Sequence, residues 1–167
     1  MYETYYCNIL QNINSKEFLK QLEFFIKKNP CCKDYPKCKH AKIQSNGTLY
    51  KHFEELNESI DTTVSKYLGY QPNILHKKCW VFLNKADEEI DSIRHNHADN
   101  YKNLSISGVA YLTETNFGTL FGDSNKIKPQ LNCWNVFDSR LYHQTEKGIP
   151  VNDRYVLAFT AIVGDKQ

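Results

Sequence analysis

The sequence predicts a single α+β domain over residues 1–167, with a helical part at 1–72 and a β-rich part at 73–167 that closes as a sandwich or jelly roll. Three observations predict this fold class. The chain has 167 residues, of which 41% are hydrophobic, so it is long enough to bury a core. Apolar residues repeat twice at helical spacing before Pro72. After it, only strand-like runs follow.

The two helices are predicted from their apolar faces and their end signals. The first covers residues 15–29, with Ser15 as N-cap and Pro30 as the stop. Its apolar residues lie on one face: Phe18, Leu19, Leu22, Phe25 and Ile26. A polar, lysine-rich connection follows, and a second helix runs from about residue 48 to Gly69. Its apolar residues also repeat at helical spacing: Leu49, Phe53, Leu56, Ile60, Val64 and Leu68.

The β-rich part consists of short runs of β-branched and aromatic residues separated by polar turns. The predicted strands are 79–83, 90–96, 104–112, 118–121, 133–137 and 155–163. No helical pattern lies between them, so a sheet of βαβ units is excluded.

Charge and cysteine usage exclude several classes of protein. The 21 basic and 19 acidic side chains leave a net charge of +2, so we expect no nucleic-acid partner. The N-terminus carries no secretory signal, and no run of 18 apolar residues predicts a membrane span. Cys7, Cys79 and Cys133 stand alone, which argues against a disulfide framework. We therefore expect a cytoplasmic protein with no membrane partner.

Three residues in the second half of the chain are candidate metal ligands. His97 and Asp99 are two positions apart, so in extended backbone both side chains leave the same face. His143 lies beyond the strand 133–137 and provides a distant third ligand. Two histidines and one carboxylate are the ligands of non-haem Fe(II) centres with open coordination positions. The alternative is a solvated turn in the polar segment around His97.

Arg154 precedes an apolar strand, where its side chain has two possible environments. A buried guanidinium is costly without a partner, and a carboxylate of a bound co-substrate would supply one. The alternative is an edge arginine beside Asp153 in solvent.

The order and spacing of these residues resemble a known family. The segments are HADNYKNLSISGVAYL, then GTLF, then WNVFDSRLYH, then Arg154. They resemble the Fe(II)- and 2-oxoglutarate-dependent dioxygenases, especially the prolyl-4-hydroxylase-like branch, over residues 80–163. The resemblance implies a double-stranded β-helix core, jelly-roll and cupin-like, with the N-terminal helices packed against one sheet.

The resemblance also implies roles for individual residues. His97, Asp99 and His143 would hold Fe(II), and Arg154 would bind the distal carboxylate of 2-oxoglutarate. Tyr111 lies where family members often place a tyrosine that reaches the same carboxylate, although a core aromatic is an equal alternative. The implied reaction uses O2 to hydroxylate a small-molecule or peptide substrate and releases succinate and CO2. Four residues share strand parity with Tyr111 or Arg154 and would line the cavity: Ser107, Val109, Val156 and Ala158.

The segment 117–121 reads Phe-Gly-Thr-Leu-Phe, whereas prolyl hydroxylases often carry Gly-Gly-x-Thr-x-Phe. The match therefore supports the reaction class more strongly than prolyl hydroxylation. Candidate substrate contacts flank the ligand segments: Arg140, Trp134 and Arg94. A cupin-type metal protein would instead use His95, His97 and His143, and a further alternative is a non-catalytic β-sandwich binding module. Because a cupin also needs a later Glu that is missing here, we expect His95 not to be a ligand.

A cluster of three cysteines and one histidine follows the first helix: Cys31, Cys32, Cys38 and His40. These residue types bind zinc, but adjacent cysteines do not match the usual Cys-x2-4-Cys pair. A lysine-rich surface loop with free thiols is the favoured interpretation.

Overall fold

The computed structural model describes residues 2–6, 15–31, 43–90, 93–97, 103–122 and 125–164. Two helices lie in the first half of the chain: α1, Ser15–Lys28, and α2, Glu54–Leu68, which follows a single 3-10 turn at Leu49–Lys51. Helix α2 ends at Gly69, whose φ of 73° is the left-handed conformation that favours glycine. No helix in these ranges is long and apolar enough to cross a bilayer.

Within the described ranges, nine strands form two antiparallel sheets. They are β1, Tyr2–Tyr6; β2, Ile43–Gln44; β3, Ile74–Asn84; β4, Leu104–Tyr111; β5, Thr119–Phe121; β6, Asn125–Ile127; β7, Cys133–Asp138; β8, His143–Thr145; and β9, Arg154–Val163. The large sheet has the order β1-β7-β4-β9-β3-β2, and the small sheet has the order β6-β5-β8. The connections between strands therefore cross from one sheet to the other.

The two faces of the large sheet bury different hydrophobic clusters. The outer face shares one cluster with both helices, including Leu22 of α1, Ile60 of α2 and Leu157 of β9. Across this face Trp134 Nε1 donates a hydrogen bond to Ser59 Oγ at 2.9 Å. The inner face and the small sheet share a second cluster, to which β6 contributes Ile127. The inner face, turned toward the small sheet, is where a site can form.

The structure corrects the predicted element list in two places. The part of the chain before residue 73 is not only helical, since β1 pairs with β7 and β2 pairs with β3. The predicted strand 90–96 is not a strand in its described residues. Among its described residues only His95 forms a bridge, to His143. The pairing does not extend because His143 is the first residue of the three-residue strand β8 and the chain turns just before it.

Candidate metal centre

Three histidine side chains are brought together by pairing between the segment 93–97 and β8. His95 N donates to His143 O at 2.9 Å, and His143 N donates to His95 O at 2.8 Å. Directly opposed residues of an antiparallel pair project their side chains to the same face. His97 lies two positions beyond His95, and its N–H donates to Ser139 O at 3.1 Å. The backbone therefore sets all three imidazoles on one side.

The spacing of the three rings fits a single metal ion. Candidate ligand atoms of His95, His97 and His143 all lie within 4.8 Å of one another. The ring centroids are 4.6, 4.7 and 5.0 Å apart. An ion about 2.1 Å from each nitrogen would be about 3.2 Å from each centroid, so ligand angles of 90–110° separate the centroids by about 4.5–5.2 Å. The observed separations lie within this range.

Backbone carbonyls fix the tautomer of two of these rings. His95 Nδ1 lies 2.8 Å from Ile93 O, and His143 Nδ1 lies 2.9 Å from Leu141 O. A carbonyl only accepts hydrogen bonds, so each Nδ1 carries a proton and Nε2 is the nitrogen that would bind a metal ion. Metal-binding histidines show this arrangement, in which the carbonyl orients the ring.

Aromatic side chains of the large sheet pack against the cluster. The Trp80 ring lies 5.2 Å from that of His97, and the Phe137 ring lies 4.9 Å from that of His143. His143 is only 5% exposed. Packing of this kind holds the imidazoles in place and excludes water from one side of the cluster.

The predicted ligand Asp99 lies outside the described residues. His97 and His143, the other two predicted ligands, lie together in the cluster. His95, which we did not expect to be a ligand, lies beside them. Of the proposed zinc set, Cys31 is half-buried at the end of α1, and Cys32, Cys38 and His40 lie outside the described residues.

Arg154 is buried at the start of β9, with 3% of its surface exposed. Its Nη1 donates to Asn84 Oδ1 at 2.9 Å and its Nε donates to Phe117 O at 3.3 Å. Within the described residues no carboxylate forms a salt bridge with it, and Asp153 pairs with Lys85 instead. Burial lowers the pKa of the Arg154 guanidinium, an effect that Tyr111 and Glu146 oppose. The solvent-exposed alternative is wrong, and a buried cation whose hydrogen-bond partners Asn84 and Phe117 are neutral is suited to an anionic ligand.

Tyr111 lies beside Arg154 and is fully buried. The guanidinium carbon is 5.6 Å from the centre of its ring, and its hydroxyl lies 2.9 Å from Thr119 Oγ1. Burial raises the pKa of the Tyr111 hydroxyl, so the phenol stays protonated and remains a donor. Tyr111 and Arg154 therefore form one polar end of the inner face.

One cavity between the sheets joins the histidine cluster to this polar end. Its lining includes all three histidines, Thr119 and Arg154. Its floor includes the four residues that parity predicted: Ser107, Val109, Val156 and Ala158. A metal ion at the histidines and an anion at Arg154 would thus occupy the same cavity.

Comparison with known proteins identifies this architecture. No family model and no curated protein matches the sequence. A prolyl hydroxylase from Trichoplax adhaerens, solved with a hypoxia inducible factor oxygen degradation domain peptide fragment, is similar in structure with a TM-score of 0.61. The two chains are 13% identical, over 96% of this chain and 83% of the other.

Two further solved structures have the same fold. The viral collagen prolyl hydroxylase of Paramecium bursaria Chlorella virus 1, in a 2OG complex, has a TM-score of 0.58 and 19% identity over 98% of this chain and 96% of its own. A 2OG-Fe(II) oxygenase family oxidoreductase from Burkholderia pseudomallei has a TM-score of 0.57 and 14% identity, over 86% and 77%. The chain has the fold of the 2OG-Fe(II) oxygenases. At the level of fold, the predicted resemblance is confirmed.

In this oxygenase fold, one of the three candidate substrate contacts points away from the cavity. Trp134 is fully buried on the outer face of the large sheet, so the expectation that it contacts substrate is corrected. Arg140 is exposed and forms an ion pair with Asp138. The Arg94 guanidinium lies 5.8 Å from the Tyr142 ring. Arg94 directly precedes His95, and Tyr142 directly precedes His143. In extended backbone, neighbouring side chains point to opposite faces, so these two point away from the imidazoles.

Sequence reasoning missed several cavity or site residues of this oxygenase fold, among them Trp80, Asn84 and Thr119. Trp80 and Asn84 share the inner face of β3, and alternation along that strand was the available signal. Thr119 lies in a three-residue strand, which is too short for such a pattern.

Proposed function

We propose that the protein is an Fe(II)- and 2-oxoglutarate-dependent oxygenase that hydroxylates an unidentified substrate and releases succinate and CO2. The observation that carries the proposal is the cavity with imidazoles at one end and a buried arginine at the other. The fold shared with 2OG-Fe(II) oxygenases supports it. A catalytically silent binding module would have no reason to bury a guanidinium beside clustered imidazoles.

In this proposal His97, Asp99 and His143 bind Fe(II). The ring spacing and the Nδ1 hydrogen bond of His143 support the two histidines. Bound Fe(II) supplies the oxidative chemistry with O2 and 2-oxoglutarate. These three residues would hold the ion and would leave it open to bind 2-oxoglutarate and O2. His95 then lies next to the ion without being required as a ligand.

Arg154 and Tyr111 bind the distal carboxylate of 2-oxoglutarate. Asn84 and the Phe117 carbonyl hold the guanidinium, which leaves its remaining N–H groups for the carboxylate. The protonated Tyr111 hydroxyl can donate to the same carboxylate. The apolar floor at Val156 and Ala158 excludes water between the two ends of the co-substrate.

We further propose that the two sheets form a double-stranded β-helix and that α1 and α2 pack against the outer face of the large sheet. The shared hydrophobic cluster and the hydrogen bond between Trp134 and Ser59 support this arrangement. The whole chain, 1–167, is then one domain. The buried free thiol of Cys79 supports the reducing cytoplasm as its compartment.

The substrate is proposed to be a peptide or a small molecule, such as a peptidyl or free amino acid. One structural neighbour was solved with a peptide. Arg140, which is exposed three residues before His143, remains a candidate contact. Arg94, whose side chain leaves the face opposite to the imidazoles, would contact only a part of the substrate that lies outside the cavity.

The alternative is a cupin-type centre that uses His95, His97 and His143. The proximity of His95 favours it, but such a centre gives no reason for the buried arginine. Metal affinities of single histidine variants distinguish the two ligand sets.

Thermal denaturation tests the proposal without a known substrate. Mn(II) with 2-oxoglutarate, or with its unreactive analogue N-oxalylglycine, is expected to stabilise the protein by about 2.7 kcal/mol at a hundredfold excess over Kd. For a chain of this size that is about 5–10 °C. A shift that requires both additions supports the proposal. No shift with both would contradict it.

A further inference from the structure

The two indoles of the chain lie on opposite faces of the large sheet, and only one has its N–H satisfied. Trp134 Nε1 donates to Ser59 Oγ at 2.9 Å. Trp80 is 7% exposed, and its Nε1 has no hydrogen-bond partner within the described residues. A buried donor without an acceptor costs free energy comparable to a lost hydrogen bond, so a native structure normally supplies a partner.

The surroundings of Trp80 point to a partner inside the cavity. Trp80 lines the cavity, and its ring lies 5.2 Å from that of His97. Its neighbour across β9 is Ala158, and the next residue in the same row, on β4, is Val109. Neither side chain carries an acceptor. The Trp80 N–H therefore faces a cavity in which a bound ligand can supply the acceptor.

The positions of Arg154 and the histidines define how such a ligand lies. Arg154 and Ala158 are four residues apart on β9, which is about 13 Å along the strand. A dianion bound by a metal ion at the histidines and by Arg154 runs along this floor. Its metal-bound carboxylate is then at the Trp80 end.

We propose that Trp80 Nε1–H donates a hydrogen bond to the metal-bound carboxylate of 2-oxoglutarate. The inference rests on the proposed function and adds a co-substrate contact outside the ligand set and the arginine. An indole N–H is a donor only and cannot be protonated or deprotonated near neutral pH, so it favours a carboxylate oxygen at that position. A hydrogen bond to an ionised acceptor is among the stronger ones in proteins.

Calorimetric titration of the Mn(II)-loaded protein tests this contact with two ligands. Oxalate keeps the chelating half of 2-oxoglutarate and lacks the carboxylate that reaches Arg154. Trp80→Phe is expected to weaken binding of both ligands about tenfold or more, with the Mn(II) affinity changed less than threefold. The matched control is Trp134→Phe, the same substitution on the outer face, which is expected to leave both ligand affinities within threefold.

A second variant separates the N–H from the shape of the ring. Site-specific benzothienylalanine at position 80 replaces the N–H by sulfur and keeps a bicyclic ring, so it serves even if Trp80→Phe perturbs the fold. It is expected to weaken both ligands as Trp80→Phe does. Unchanged affinities, or a loss of affinity for 2-oxoglutarate with none for oxalate, would overturn the Trp80 contact but not the proposed function. Failure of the wild-type protein to bind either ligand would overturn the proposed function and this inference together.

Discussion

His95 and His143 exchange both of their backbone hydrogen bonds, at 2.9 and 2.8 Å, although they are far apart in the sequence. This single pair aligns the segment 93–97 with β8. It places His97, two positions further on, with its ring 5.0 Å from that of His143. The candidate metal centre thus depends on pairing between a short segment and a three-residue strand.

The ligand set predicts graded losses of metal affinity. His97→Ala and His143→Ala should each weaken Mn(II) binding at least a hundredfold, because each removes a ligand. His95→Ala should weaken it less than tenfold. Equilibrium titration with Mn(II) measures these changes, and His76→Ala, at an exposed position on β3, is the control. An effect of His95→Ala as large as the other two would support the three-histidine, cupin-type centre.

Arg154 variants test the anion-binding end. Arg154→Met should weaken 2-oxoglutarate binding to the Mn(II) form at least a hundredfold, because it removes a buried cation and its fork of donors. Arg154→Lys keeps the charge but loses the fork, so we expect about a tenfold loss. Oxalate binding should be unchanged in both variants. Equal losses for oxalate and 2-oxoglutarate would mean that Arg154 acts on the metal end or on folding.

Two tyrosines on opposite faces of the large sheet give a matched comparison. Tyr111→Phe removes a buried hydroxyl that contacts the cavity residue Thr119, and it should raise the Kd for 2-oxoglutarate about three- to tenfold. Tyr155→Phe removes a hydroxyl that donates to Glu23 on the helix side, and it should leave that Kd unchanged. Calorimetric titration of the two metal-loaded variants with 2-oxoglutarate measures both Kd values. If Tyr111→Phe binds like wild type, Tyr111 is a core aromatic only.

We expect Glu146 to make a pH-dependent contribution to the stability of the folded protein. The hydrogen bond from Lys126 holds the pKa of the Glu146 carboxyl below its usual value, and Gly118 N–H also donates to it. A folded-state pKa below the unfolded value stabilises the protein above about pH 4.3, and this contribution is lost as pH falls through the folded pKa.

Glu146→Gln should therefore lower the free energy of unfolding at pH 7 by under about 1 kcal/mol. The difference from wild type should vanish in acid. Urea denaturation from pH 3 to pH 7 measures it, with the exposed Glu114→Gln as control. A difference that stays constant over this range would contradict the assignment.

Much of the fold was predictable because its helices and longer strands carry local patterns. The apolar repeats of α1 and α2 and the β-branched runs of β4 and β9 gave their positions within a few residues. Strands β1 and β8 were missed because they are held by distant partners, β7 and β5, and have no apolar alternation of their own.

The site was predictable where strand parity applied. Val156 and Ala158 were placed on the cavity floor because they lie two and four positions after Arg154 and so share its face of β9. Trp134 was misplaced because β7 is buried on both faces, so alternation does not show which face is inner. His95 was set aside because the later Glu of a cupin is missing, and its proximity to His143 could not be predicted because it arises from a long-range backbone pair.

Succinate formation is the most direct test of the central claim. Purified wild-type protein with Fe(II), 2-oxoglutarate and O2 should convert 2-oxoglutarate to succinate slowly even without its substrate, and omission of Fe(II) or O2 should abolish the conversion. Asp99→Ala should lose this activity. Absence of succinate from the wild-type protein that binds metal and 2-oxoglutarate, or equal activity of Asp99→Ala, would contradict the account.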